Sequence, residues 1–161
     1  METITQQVLI RKAELGDLES VLDVMRGEID EAYFEDIAQE VWDISAGKAE
    51  CFVAEAGSEV IGYASWRKKV QVAYLETIAV KPAYQGKGVG SRLLQEVIAS
   101  IKEKEPDVTL LNVITDADAP DAIKFYLKNG FAVSGLVEDE FIEKQAQVHL
   151  CLRLRSISDV K

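Results

Sequence analysis

The apolar run from Val8 to Ala13 predicts a first strand, and Gly16-Asp17 stops it. Leu18, Val21, Leu22 and Met25 then recur at helical spacing, with Asp17 placed to cap the helix. A second helix is predicted around Ile37, Val41 and Ile44, ending near Gly47. From Cys51 the period changes to that of strands. Cys51 to Ala56 and Val60 to Trp66 read as a hairpin about Gly57-Ser58, and Val72 to Val80 as a further strand halted before Pro82. Val89, Leu93, Leu94, Val97, Ile98 and Ile101 form one apolar face of a helix over 89–104, which Pro106-Asp107 ends. Val108 to Ile114 reads as a buried strand. Pro120 opens a short helix through Tyr126 that Asn129-Gly130 terminates, and Phe131 to Val137 and Gln147 to Leu154 are two closing strands. The order β-α-α-β-β-β-α-β-α-β-β predicts an α/β fold with a mixed sheet. With no Pro-, Gly- or Ser-rich linker and no repeat, residues 1–161 read as one domain.

Composition narrows the class. A chain of 161 residues, 48% hydrophobic and 29% charged, is ordinary globular material. No apolar run approaches the roughly 18 residues of a membrane span, and METITQQVLIRKAE lacks the pattern of a secretory signal. Cys51, Cys151 and the single His149 are too few and too scattered for a metal site, a disulfide framework or a His-based triad. These features point to the cytoplasm, without a membrane partner. Residues 1–50 hold 13 acidic and 4 basic side chains, a balance of −9 out of the total of −10. Such a field disfavours nucleic acid and favours cationic small molecules or basic peptides; the other reading is of solvated helix faces that keep the chain soluble.

The segment Gln85-Gly86-Lys87-Gly88-Val89-Gly90-Ser91 lies where a strand turns into the strongest helix. Glycines there let backbone amides approach an anion at a helix N-terminus, so a phosphate or pyrophosphate is a natural guest. A tight turn with close helix–sheet packing is the purely structural alternative. A P-loop would need Lys followed by Ser or Thr after its last glycine, whereas Gly90 is followed by Ser91 and Arg92. The alternating glycines, far from a first strand, do not make a dinucleotide fingerprint either.

Gln85-x-x-Gly88-x-Gly90, after the strand Leu75-Glu76-Thr77-Ile78-Ala79-Val80, resembles the acyl-coenzyme A motif of the GNAT superfamily of N-acetyltransferases. Ala122-Ile123-Lys124-Phe125-Tyr126-Leu127-Lys128-Asn129-Gly130-Phe131 is similar to that family's second cofactor motif, and Ile10-Arg11-Lys12-Ala13 before Asp17 is a typical start. The two cofactor motifs lie in the family's order, about 35 residues apart, and the resemblance runs from about residue 8 to 154. It implies a mostly antiparallel sheet flanked by helices, and acetyl-coenzyme A as the acetyl donor. It also implies that Ile78, Ala79 and Val80 face the pantetheine arm in a gap where the 108–114 strand splays away. The amides of Gln85, Gly86, Lys87, Gly88, Val89, Gly90 and Ser91 would hold the pyrophosphate. Lys87 either adds a charge there or is simply solvated.

Acetyl transfer to an amine needs a neutral nucleophile, support for the carbonyl oxygen and a proton for the leaving thiolate. The resemblance makes the Ile78 amide the oxyanion donor and Tyr126 the acid; Tyr126 is otherwise a packed aromatic beside Phe125. Strand alternation puts Tyr74, Glu76 and Ile78 on one face and Leu75, Thr77 and Ala79 on the other. Glu76 is therefore a candidate base or anchor for a cationic acceptor, or else a solvent-facing strand residue. Glu28, Glu31, Tyr33 and Glu35 lie between the first two helices, where the family builds its acceptor pocket, and Tyr74 joins them as a substrate candidate.

Two positions depart from the family pattern. Many members carry Asn where Ala119 stands, in the stretch Asp116-Ala117-Asp118-Ala119-Pro120-Asp121; Asp118 either takes over that contact to pantetheine or weakens it. Some peptide N-terminal acetyltransferases have Glu where Asn112 stands. His149 reads as a structural or surface residue and Cys51 and Cys151 as core packing, while Trp42 and Trp66 read as buried or else as lining the acceptor groove. The expected reaction is direct attack by a small, cationic or peptide amine in a ternary complex, with no covalent enzyme intermediate. The alternative is a non-catalytic acyl-coenzyme A sensor of the same fold. The final strands are candidates for pairing two copies into a homodimer.

Overall fold

The strand β1 (Val8–Lys12) pairs antiparallel with β2 (Glu50–Ala56), and β2 with β3 (Glu59–Lys69), in the computed structural model, which describes residues 6–26, 28–29, 31–44, 46–141 and 143–155. Helices α1 (Leu18–Met25) and α2 (Phe34–Asp43) lie between β1 and β2 in the chain, and β4 (Val72–Val80) follows β3. The rest comprises α3 (Val89–Lys104), β5 (Leu110–Asp116), α4 (Pro120–Lys128), β6 (Ala132–Glu138) and β7 (Ala146–Arg153). The element order is the one predicted. Among the described residues seven strands form a mixed, mostly antiparallel sheet in the order β1-β2-β3-β4-β5-β7-β6.

Two compact units divide β4 between them. The first comprises Met1–Arg67 and Glu76–Ser100. Its core gathers Val21, Val24 and Met25 of α1, Ile37 and Val41 of α2, and Cys51, Val53, Val60 and Tyr63 of β2 and β3. Burying each of these Val, Ile and Met side chains contributes roughly 1.5–3 kcal/mol. On the other side of β3, Trp66 is buried and its indole N–H donates to Ser100 of α3 at 3.2 Å. The start of α1 differs from expectation. Asp17 does not cap α1 with its side chain; it accepts the Glu14 amide at 2.7 Å and both terminal nitrogens of Arg11 at 2.8 Å. Arg11 also donates to Glu55 at 2.7 Å, tying β1, β2 and the start of α1 together.

The second unit comprises Lys68–Leu75 and Ile101–Lys161. There β4 and β5 pair in parallel at Ala73 with Leu111 and at Tyr74 with Asn112. β5 runs antiparallel to β7 from Leu110–Arg153 to Asp116–Gln147, and β7 pairs antiparallel with β6. α4 ends in a Schellman motif: Gly130 has φ +92°, its amide donates to Leu127, and the Phe131 amide donates to Tyr126 at 3.0 Å. β5 begins at Leu110 rather than Val108, because Val108 is buried in the turn after α3 with its amide on the Glu105 carbonyl.

Candidate active site

The loop between β4 and α3 is shaped by its own residues. Pro82 opens a short 3-10 turn over Pro82–Tyr84, which the Gln85 amide closes on the Pro82 carbonyl at 3.2 Å. The Gln85 side-chain amide donates to the Val80 carbonyl at 2.8 Å. Gln85 thus spends its backbone N–H and its side chain on fastening the loop to the end of β4. Gly86 and Gly88 have φ of +72° and +84°, and a Cβ at either would meet nothing within 4 Å. The backbone, not crowding, demands glycine there, and the space before the loop is open. α3 then starts at Val89 with no acidic residue in its first turn, so the positive end of its dipole is not neutralised. Val89 is buried, Gly90 and Ser91 are half-buried, and the Lys87 ammonium stands 5.7 Å from the centre of the Tyr84 ring. A polyanion such as a pyrophosphate fits these groups by charge and by room.

The second half of β4 leads into this loop. Ile78 and Ala79 are half-buried and Val80 is buried; Ala79 packs on the core of the first unit, and the Val80 carbonyl is already taken by Gln85. Strict alternation along β4 does not hold. Thr77 Oγ donates to Glu40 of α2 at 3.1 Å, while its neighbour Glu76 lies 3.8 Å from Nε of Arg67, whose guanidinium also stands 3.7 Å from Asp43 of α2. Side chains predicted on opposite faces both reach groups that converge on the end of α2. Arg67 Nε is buried without a hydrogen-bond partner among the described residues.

Glu40 was not anticipated. It sits on the buried stripe of α2 with Ile37 and Val41 and is 7% exposed. Ser65 donates to Oε2 at 2.6 Å, Tyr63 at 3.0 Å, and Thr77 reaches both carboxylate oxygens at 3.1 and 3.3 Å. Burial pushes the pKa of Glu40 up; the three hydroxyls oppose that rise, and the charge of Glu76 adds to it. The Tyr63 hydroxyl also lies 3.2 Å from the Cys51 sulfur, and burial lifts that thiol to about 12, which makes it an inert core residue. The spacing Ile37, Glu40, Val41, Ile44 was the available signal, since it puts Glu40 on the apolar face.

The acceptor candidates are distributed more loosely. Glu28, Tyr33 and Glu35 are exposed around the start of α2, and Glu31 belongs to a 3-10 turn over Glu31–Tyr33. Trp42, expected to be buried, is 57% exposed, because the buried face of α2 is set by Ile37, Glu40 and Val41.

In the second unit, Tyr126 is 6% exposed and packs edge-on against Phe125 and Phe131, each at 5.4 Å between ring centres. Burial raises its phenol pKa above the ordinary value. Tyr74 is half-buried under the Lys69 ammonium at 4.9 Å, and Asn112, its partner across the β4–β5 pair, has a buried Oδ1 without a hydrogen-bond partner among the described residues. Asp118 is exposed in the turn before α4, whose N-cap Ala119 supplies no side-chain cap. His149 Nε2 lies 2.7 Å from Glu140.

The acetyltransferase (GNAT) family profile matches residues 17–131. The chain belongs to this family. As a GNAT protein it is placed among acyl-transferring enzymes. It is 28% identical over 108 residues to the uncharacterized N-acetyltransferase YvbK of Bacillus subtilis (strain 168), which is 66% of this chain and 68% of that protein. It is 38% identical over 87 residues to the N-alpha-acetyltransferase RimI of Mycobacterium tuberculosis (strain ATCC 25618 / H37Rv), and that match spans only about half of each, 52%. Its fold is similar to that of the PaiA N-acetyltransferase of Thermoplasma acidophilum in complex with coenzyme A. That likeness has a TM-score of 0.70 at 22% identity and covers 89% of this chain and 98% of the other.

Proposed function

We propose that this GNAT protein transfers an acetyl group from acetyl-coenzyme A to a primary amine by direct attack in a ternary complex. The observation that supports this most is the open loop of Gly86 and Gly88 at the acid-free start of α3, a fit for a pyrophosphate. When bound, acetyl-coenzyme A supplies the acetyl group as a thioester. The amides of Gly86 to Ser91, with Lys87, hold the pyrophosphate, and Gln85 holds the loop. Ile78 N–H receives the carbonyl oxygen as its charge grows, and Ile78, Ala79 and Val80 border the pantetheine arm. The Tyr126 phenol, kept protonated by burial, gives its proton to the departing sulfur. Asp118 is assigned to the pantetheine end of the cofactor.

Glu76 receives the ammonium proton or anchors the acceptor, with Tyr74, Glu28, Glu31 and Tyr33 as further acceptor contacts. The acidic surplus of residues 1–50 supports a cationic small amine or a peptide amine. We read the two units as one catalytic domain, in keeping with the absence of a linker in the sequence. β6, exposed at every position but the half-buried Gly135, is the edge assigned to pairing with a second copy.

The test is thiol release from acetyl-coenzyme A with pooled polyamines, amino acids, amino sugars and short peptides. Release above background with one pool supports the proposal and narrows the acceptor class. Binding of acetyl-coenzyme A with no release in any pool turns the reading toward a protein acceptor or a sensor.

A further inference from the structure

Glu40 is a buried ionisable group that the proposed reaction leaves unused. Burying a carboxylate is unfavourable unless partners offset it, and here three hydroxyls from two strands surround it. Tyr63 and Ser65 both lie on β3 and tie α2 to that strand. Thr77 is different. Its hydroxyl spans both carboxylate oxygens from β4, and its carbonyl carbon belongs to the same planar peptide as the nitrogen of Ile78. The hydroxyl sits on Cβ, one bond from the main chain, so holding it at the carboxylate also restrains the backbone that bears it.

Resting on the reading that Ile78 N–H receives the thioester oxygen, we infer that Glu40 is a positioning residue which, through the Thr77 hydroxyl, aims the Thr77–Ile78 peptide at the carbonyl. The loop fastens the far end of the same segment, where Gln85 holds the Val80 carbonyl and the Lys81 amide donates to Ile61 at 2.8 Å. The strand between residues 77 and 81 is thereby clamped at both ends, which is the preorganisation an oxyanion donor requires.

The experiment compares wild type with Thr77→Val, Thr77→Ser and Glu40→Gln. T77V keeps the shape and loses the hydroxyl, whereas T77S keeps the hydroxyl. The first readout is the infrared stretch of acetyl-coenzyme A labelled at the thioester carbonyl and bound to each protein; the second is kcat beside the dissociation constant for acetyl-coenzyme A. In wild type and T77S the bound carbonyl band lies below that of the free thioester. In T77V and E40Q it moves back toward the free position, and kcat falls on the order of tenfold to a hundredfold at unchanged affinity. A helix anchor alone would lower the melting temperature and leave the band in place. If acetyl-coenzyme A binds and the band is the same in wild type, T77V and T77S, the inference is overturned while the proposed function stands. If wild type does not bind acetyl-coenzyme A, the proposed function fails and this inference fails with it. Should E40Q not fold, the T77V and T77S pair decides.

Discussion

Replacing Gly88 by alanine separates what the glycine loop does for the fold from what it does for a ligand. Gly88 has φ +84°, and no heavy atom lies within 4 Å of an added Cβ. The substitution therefore meets no steric wall, and its cost to the fold is the left-handed backbone strain of an L residue, about 1–2 kcal/mol. For a domain of this size that lowers the melting temperature by roughly 2–8 °C. Gly47 is a matched control, with φ +67° and equally open surroundings in the turn after α2. Gly88→Ala and Gly47→Ala should lose similar stability. Only at Gly88 does the new methyl stand where a phosphate must approach a backbone amide. Losing one charge-assisted hydrogen bond, about 1.5–3 kcal/mol, weakens acetyl-coenzyme A binding roughly tenfold to a hundredfold. Calorimetric titration measures this directly, and an acetyl-pantetheine fragment without the pyrophosphate should show no such loss. Wild-type affinity in a melting-shifted Gly88→Ala protein would refute the pyrophosphate assignment. So would an equal loss of affinity in Gly47→Ala.

Two other substitutions probe separate parts of the molecule. Tyr126→Phe should lower kcat at least tenfold, about 1.4 kcal/mol of barrier, with acetyl-coenzyme A affinity unchanged. Because burial raises the phenol pKa, the wild-type rate should not fall as pH rises through the ordinary phenol value of 10.0; turnover of Tyr126→Phe equal to wild type at every pH removes the phenol from the mechanism. Asp17→Asn tests the Arg11 clamp. Hydrogen bonds from Arg11 hold the Asp17 carboxyl below its usual value of 3.8, so its contribution is present above that pH and is lost as the solution is acidified through the lowered value. The variant should melt roughly 4–8 °C lower at neutral pH, for about 2 kcal/mol lost. That difference should shrink in acid; a constant one would show that charge is not what Asp17 supplies.

Much of this protein was legible before any coordinates. Strand-period runs separated by turn residues marked β2, β3 and β4, and the apolar spacing from Val89 to Ile101 marked α3. Asn129-Gly130 announced the end of α4. The Gly86–Gly90 segment and the Ala122–Phe131 segment pointed to the family. All of these are local properties, written in residues adjacent along the chain, because φ at a glycine and the period of a helix or strand depend on near neighbours.

What escaped the sequence depended on which distant residues meet. Glu40 reads as one more acid among the acidic first 50 residues until α2 docks and brings Tyr63, Ser65 and Thr77 around it from two strands. Trp42 reads as core until the phase of α2 turns it to solvent. Alternation put Glu76 and Thr77 on opposite faces, yet Arg67 and Glu40 draw both toward groups of α2. The sequence by itself determined the order of elements, the backbone of the glycine loop and the family. Only tertiary packing decided which carboxylate is buried and which strand residue it grips, since burial and pairing belong to a side chain's surroundings and not to its place in the chain.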